Sequence, residues 1–215
     1  MSLIAKEASE STFTLIPEGT YPAVCFLLVD LGMQQNKNFD TRSRKVQLGW
    51  LIPSETYVNK EGETVPRAMY AEYTNSLGKK SKLRPLLASW RGRDFTADEL
   101  QAFDLRNIVG APCLMNIIHT EGKDGKTYAN IAGLMRLPKG MPPAKLETDP
   151  IIFDLDEDPL DQLELVPEWI ANKVKQSETY MDKAAASIKK EVDGAAAPVL
   201  EEIPEGADEE ELPFD

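Results

Sequence analysis

The chain has 215 residues, 42% of them hydrophobic and 28% charged, with a formal net charge of −12. That is enough apolar matter for one ordinary core with appendages. No apolar run is long enough for a membrane-spanning helix, and the first ten residues lack the basic-then-apolar order of a secretory signal, so a cytoplasmic location is expected.

The acid is segregated. Residues 1–140 hold 18 Lys/Arg against 15 Asp/Glu, a net of +3, and residues 141–215 hold 6 against 21, a net of −15. Within residues 34–93 the balance is 12 basic to 5 acidic, a net of +7. A basic body with an acidic end points to two kinds of partner, one polyanionic and one not. Cys25 and Cys113 lie in apolar runs with no second Cys or His at metal spacing, and read as buried, reduced thiols.

In chain order, residues 1–16 are a loose N-terminus. Tyr21 to Asp30 is a buried strand, with Pro22 near its start. Residues 32–43 are a polar loop. Arg44 to Ile52 alternates, with Val46, Leu48, Trp50 and Ile52 on one face, which predicts a half-buried strand. Residues 53–66 form a second polar loop, and Arg67 to Thr74 a third strand. The period then changes: Leu83, Leu86, Leu87 and Trp90 fall on one face of a helix. Thr96 to Glu99 is a capping box between the staple residues Phe95 and Leu100, so a second short helix starts there. Pro112 to Thr120 is a fourth strand, Asp124-Gly125 a hairpin turn, and Thr127 to Arg136 a fifth strand.

The Pro-rich segment 138–143 closes the domain, and Ile151 to Phe153 is available to add a strand. A helix begins at Pro167 and keeps one stripe through Ile170, Val174, Met181, Ala185, Ile188 and Val192. From Gly194 the chain is Ala, Pro, Glu and Asp, a composition expected to be disordered. The expected units are thus 1–16, a nucleic-acid-binding domain at 17–143, an acidic linker and C-terminal helix at 144–193, and a tail at 194–215.

Three strands, a helix and two strands predict a mainly β fold: a five-stranded Greek-key OB-fold barrel with its helix between strands three and four, followed by a C-terminal helix and a disordered acidic tail. Such barrels bind oligonucleotides on the face of strands two and three and on the one–two and four–five loops. Single-strand binding needs cations along the phosphates and flat side chains that stack bases. Those elements supply Lys37, Phe39, Arg42, Arg44 and Lys45, then Arg67, Tyr70 and Tyr73. The connection to the helix carries Lys79, Lys80, Lys82 and Arg84, the helix ends in Arg91 and Arg93, and the four–five hairpin adds Lys123, Lys126 and Tyr128. Trp50 completes the aromatic set, although its position on an apolar face also suits the core. Tyr70 and Tyr73 point to opposite faces, so one is expected inside and the other free to stack.

No enzymatic pattern competes, and no cofactor or metal motif is found. His119 is the only histidine and sits in a strand. Asp154, Asp156 and Asp158 mimic the start of a calcium loop, but Pro159 stands where glycine is required and Leu165 where the closing Glu belongs. Gly78 to Ser81 lacks the upstream glycine of a phosphate loop, since that position is Tyr73.

The C-terminal run Asp208, Glu209, Glu210, Glu211, Leu212, Pro213, Phe214, Asp215 resembles the acidic tip of bacterial and bacteriophage single-stranded DNA-binding proteins. The body is similar to phage-encoded members in Tyr21 to Leu31, Asn107 to Lys139 and Leu165 to Gln176. The resemblance implies non-catalytic, largely sequence-independent binding of single-stranded DNA in phage replication or recombination, with residues 208–215 recruiting replication, recombination or repair proteins. Asp215 after Phe214 departs from the usual tip, which ends on Phe. Two other readings stand beside it: a single-strand annealing or recombination accessory protein, and an acidic adaptor or nucleic-acid mimic, which the +7 segment disfavours.

Overall fold

A computed structural model describes residues 14–36 and 40–195, the last six of them as helix backbone. Six strands, β1 (Gly19–Gln35), β2 (Arg42–Val58), β3 (Thr64–Thr74), β4 (Pro112–Glu121), β5 (Thr127–Met135) and β6 (Ile151–Phe153), form one mainly antiparallel sheet. The helices are α1 (Leu83–Arg91), α2 (Ala97–Gln101), α3 (Glu168–Lys175) and α4 (Glu178–Ala195), with 3-10 turns at Leu105–Ile108 and Leu160–Leu165. No described helix is long and apolar enough to cross a membrane.

The strand path is β3-β2-β1-β4-β5, and β6 pairs in parallel with β1. β1 organises the sheet. Val24–Gln35 pairs with β2, Gly19–Val24 with β4 and Leu27–Val29 with β6. Register shifts between Cys25 and Leu27 and between Asp30 and Gly32 curl it, as bulges do. No ladder joins β3 to β5 among the described residues, so the sheet is open.

Both faces of β1 are covered, which is why its sequence is continuously apolar instead of alternating. On the inner face Ala23 and Cys25 pack with Val46, Leu48, Trp50 and Ile52 of β2, with Leu83, Leu87 and Trp90 of α1, and with Cys113, Met115 and Ile117 of β4. The Trp50 and Trp90 rings lie 6.0 Å apart, and Trp90 Nε1 donates to the Pro112 carbonyl at 2.9 Å. Burial pushes the Cys25 and Cys113 thiols up to about 12, so both are inert at neutral pH.

On the outer face Leu27, Val29 and Leu31 pack with Phe153, Leu155, Leu163, Val166, Ile170, Ala171 and Val174. The second core therefore lies between the sheet and α3. Gln34 Nε2 donates to the Lys173 carbonyl at 3.0 Å, and the Met33 amide to Thr179 Oγ1 at 3.0 Å. Lys183 Nζ donates to the carbonyls of Leu155, Asp156 and Asp158 at 2.8, 3.1 and 2.7 Å, fastening α4 to that loop.

Two expectations change. The predicted loops at 32–43 and 53–66 are largely strand: β1 and β2 run on to Gln35 and from Arg42, and β2 and β3 to Val58 and from Thr64. These hairpin ends are mostly polar, which hides the period-2 signal; the β2–β3 end is largely exposed, while the β1–β2 end is partly covered by α3 and α4. The C-terminal helix is two helices. Ser177 divides them, its Oγ donating to the Val174 carbonyl at 2.7 Å and accepting from the Tyr180 amide at 3.1 Å. Residues 151–153 do form a strand, β6, and the capping box of Thr96 and Glu99 is present with both hydrogen bonds.

Candidate nucleic-acid interface

The face of β2 and β3 predicted to carry the strand is occupied. Its outward positions pair Leu51 with Ala68, Gly49 with Tyr70 and Gln47 with Glu72, and α3 lies over them. Tyr70 stands edge-on to Phe26 at 5.9 Å and to Trp169 of α3 at 5.2 Å. Burial raises its phenol pKa, as it raises that of Tyr73. Tyr70 is therefore a packing residue between sheet and helix, and both tyrosines are half-buried. Trp50 is 0% exposed and out of reach of any ligand, a correction forced by its place opposite Trp90.

The predicted cations divide into two sets. The arginines are mostly neutralised within the chain. Arg42 meets Glu178 at 2.7 Å. Arg44 pairs with Asp30 and, at 2.7 Å, with Asp156. Arg84 meets Asp94 at 3.2 Å. Arg91 and Arg93 share Glu99, which these guanidiniums and the Thr96 amide hold down to about 2. Arg67 donates to the Thr14 carbonyl and lies 5.9 Å over the Tyr57 ring. Several of these pairings join distant segments, Arg42 with Glu178 across 136 positions, which composition counts cannot see, and together they remove most of the apparent +7 from the surface field.

The lysines behave differently. Lys79, Lys80 and Lys82 are exposed, and no carboxylate pairs with them among the described residues. Lys80 and Lys82 line a cleft of about 510 Å³ together with Lys45, Tyr73, Thr74, Ser76, Ser81 and one carboxylate, Glu72. Lys45 reaches Thr74 Oγ1 at 3.0 Å, with Glu72 at 4.0 Å. Lys123 and Lys126 are likewise exposed on the β4–β5 turn. Beside them the Tyr128 hydroxyl donates to Asp124 at 2.6 Å, which raises the phenol and lowers the carboxyl. Lys37, Phe39 and the tip residues 208–215 lie outside the described residues.

A second cleft, about 430 Å³, lies at the other end of α1. Arg91 and Arg93 line it with Trp90, Phe103, Asn107 and Arg136. Arg91 is stacked 4.4 Å from the Phe95 centroid and 5.0 Å from that of Phe103, and its buried Nη1 has no partner among the described residues. Arg91 and Arg93 share Glu99, while Arg136 has no carboxylate partner among the described residues. Sequence reasoning misses Arg136 because it looks like the end of a strand. Its signal lies only in the chain reversal that brings the end of β5 against α1, where the Arg136 amide donates to the Ser89 carbonyl at 3.2 Å.

The remaining polar clusters are structural. His119 Nε2 lies 2.8 Å from the Ile16 carbonyl, and its amide donates to Glu18 at 2.6 Å, tying the N-terminal segment to β4. Asp30, Asp154 and Asp156 bring carboxylate oxygens within 4.8 Å of one another. Arg44 pairs with two of them and Arg106 with Asp154 at 2.8 Å, so arginine supplies the positive charge there. Asp158 caps the same turn, accepting from the Asp154 amide at 2.7 Å.

Compared with known protein families, characterised proteins and solved structures, the chain matches none.

Proposed function

We propose that this protein binds single-stranded DNA without catalysing a reaction on it, and that the strand passes the cleft between β3 and the β3–α1 connection instead of crossing the β2–β3 face. One observation carries the reading. Lys80 and Lys82 converge on a cleft with Lys45 and Tyr73 while lacking carboxylate partners among the described residues, in a chain whose arginines are mostly paired. Unpaired lysines exchange their counterions for phosphates, and Tyr73, half-buried against the inner core, lines the same cleft, where a flat ring can stack an unstacked base.

The strand path supports the assignment to an OB-type barrel. The order β3-β2-β1-β4-β5, with α1 between β3 and β4, is that of such a barrel opened along the β3–β5 seam, a partly open form this fold tolerates. In this reading the protein coats single strands in phage DNA replication or recombination, and the acidic tip at 208–215 recruits partner enzymes.

Fluorescence anisotropy with single-stranded and duplex oligonucleotides across a salt series tests it. Single-strand preference and a steep salt dependence are expected, with a slope of about 0.7 per neutralised phosphate. Equal affinity for both forms, or indifference to salt, overturns the proposal. An annealing assay with complementary oligonucleotides separates coating from strand pairing.

A further inference from the structure

The apolar stripe carried by the sequence from Ile170 to Val192 is cut in two at Ser177. Its first half is covered: Ile170 and Val174 are 0% exposed against the sheet. Its second half is open. Met181 is 56% exposed and Ile188 62%, with Ala185 exposed between them. The orientation of α4 is fixed from its other side, where Tyr180 packs on the outer core and Lys183 holds the three carbonyls of the 155–158 loop. Helical spacing then sets Met181, Ala185 and Ile188 in one row on the exposed side of α4, with Met181 at the end where it lines a cleft with Met33 and Arg42.

Two charges flank that row on one side. Asp182 and Lys189 are both exposed, and neither makes an ion pair or side-chain hydrogen bond among the described residues. In heptad terms Met181 and Ile188 occupy d, Ala185 occupies a, and Asp182 and Lys189 both occupy e. Two copies of α4 packed antiparallel about a two-fold axis bring e against e. Asp182 of each copy then meets Lys189 of the other, and one symmetry operation makes both pairs. The opposed helix dipoles favour the same orientation. A parallel pair would set these charges against g positions, here Ser177 and Ala184, and would gain nothing from them.

We propose that the open face of α4 is a self-association surface, occupied by the α4 of a second copy in antiparallel register. The protein is then a reversible dimer whose two β-sheet bodies are joined through their C-terminal helices. This inference is independent of what the clefts bind.

Sedimentation equilibrium of the full chain over a wide concentration range tests it, with circular dichroism confirming that each variant is folded. A concentration-dependent dimer is expected, weakened by high salt. Ile188→Lys should leave monomer. Asp182→Lys converts both attractions to repulsions and should weaken dimerisation about tenfold, and adding Lys189→Asp should restore it. All three positions are exposed, so the monomer tolerates these changes. A wild-type chain that stays monomeric throughout overturns the proposal. So does a dimer indifferent to Ile188→Lys, or a double charge swap as weak as Asp182→Lys alone.

Discussion

Gly32 shows how one residue can be held by its surroundings. Its φ is +69°, and a Cβ there would lie 2.6 Å from Ser177 Oγ and 2.8 Å from Leu155 Cδ2. Both a left-handed backbone and a crowded seat are at stake. Gly125 has a similar φ of +72° with nothing within 4 Å, so it isolates the backbone part. Gly32→Ala should cost about 2 kcal/mol or more in urea unfolding, and Gly125→Ala about 1 kcal/mol. Equal losses would show that the crowding at Ser177 is relieved without cost. Glu99 provides the second residue-scale test. Its carboxyl is held at about 2 against an ordinary 4.5, chiefly by Arg93 and then by the Thr96 amide and Arg91. A depressed acid contributes stability that is complete above its unfolded pKa and lost as pH falls through the folded one. Stability should therefore drop between about 4.5 and 2 more steeply in the wild type than in Glu99→Gln, as read from thermal unfolding across that window.

At the scale of elements, α3 and α4 are attached by different physics. α3 is buried by area, through Ile170, Ala171 and Val174. α4 is attached by a few directed contacts: Lys183 on the 155–158 carbonyls, Thr179 on the Met33 amide, and Glu178 on Arg42. Local stability should differ accordingly. Lys183→Met removes an ammonium from three carbonyls and should speed amide exchange along α4 while leaving α3 and the sheet protected. If exchange quickens equally in α3, the two helices are one cooperative unit and the division at Ser177 has no energetic meaning. Tyr70 belongs to the same layer. Its ring links Phe26 to Trp169, so Tyr70→Ala should lower stability, with nucleic-acid affinity per folded molecule unchanged.

At the scale of the molecule, charge is sorted rather than summed. Most arginines are bound to carboxylates of the same chain, while the lysines of the β3–α1 connection have no carboxylate partner among the described residues. Lys80→Glu with Lys82→Glu should weaken single-strand binding strongly and flatten its salt slope, by about 0.7 for each phosphate left without a cation. Arg42→Glu, which breaks an internal pair, should affect stability more than binding. The reverse ranking would move the interface to the β1–β2 hairpin. The tail at 194–215 carries eight acidic residues and no Lys or Arg; on the proposed reading it competes with DNA for the cationic surface, an effect that salt screens. Deleting it should tighten DNA binding at low salt. Phe214→Ala, which removes no charge, should abolish partner capture in pull-downs with DNA affinity nearly unchanged.

What the sequence determined by itself was local and periodic. The inner-face set of β2 (Val46, Leu48, Trp50, Ile52), the α1 face of Leu83, Leu87 and Trp90, the capping box at Thr96 and the buried thiols are each set by near neighbours and by a period of 2 or 3.6, and each stands in the structure. The half-buried character expected of β2 does not stand, because Gln47 and Gly49 on its other face are buried as well. The long hairpin ends left no periodic signal because their residues are mostly polar on both faces, even where α3 and α4 later cover one of them. The tertiary structure decided which surface is free. Tyr70 looks like a stacking ring until α3, far along the chain, closes over it. Arg44 looks like a phosphate ligand until the curl of β1 and the return of residues 154–156 bring Asp30 and Asp156 to it. Availability depends on contacts between distant segments, and neither periodicity nor composition contains those.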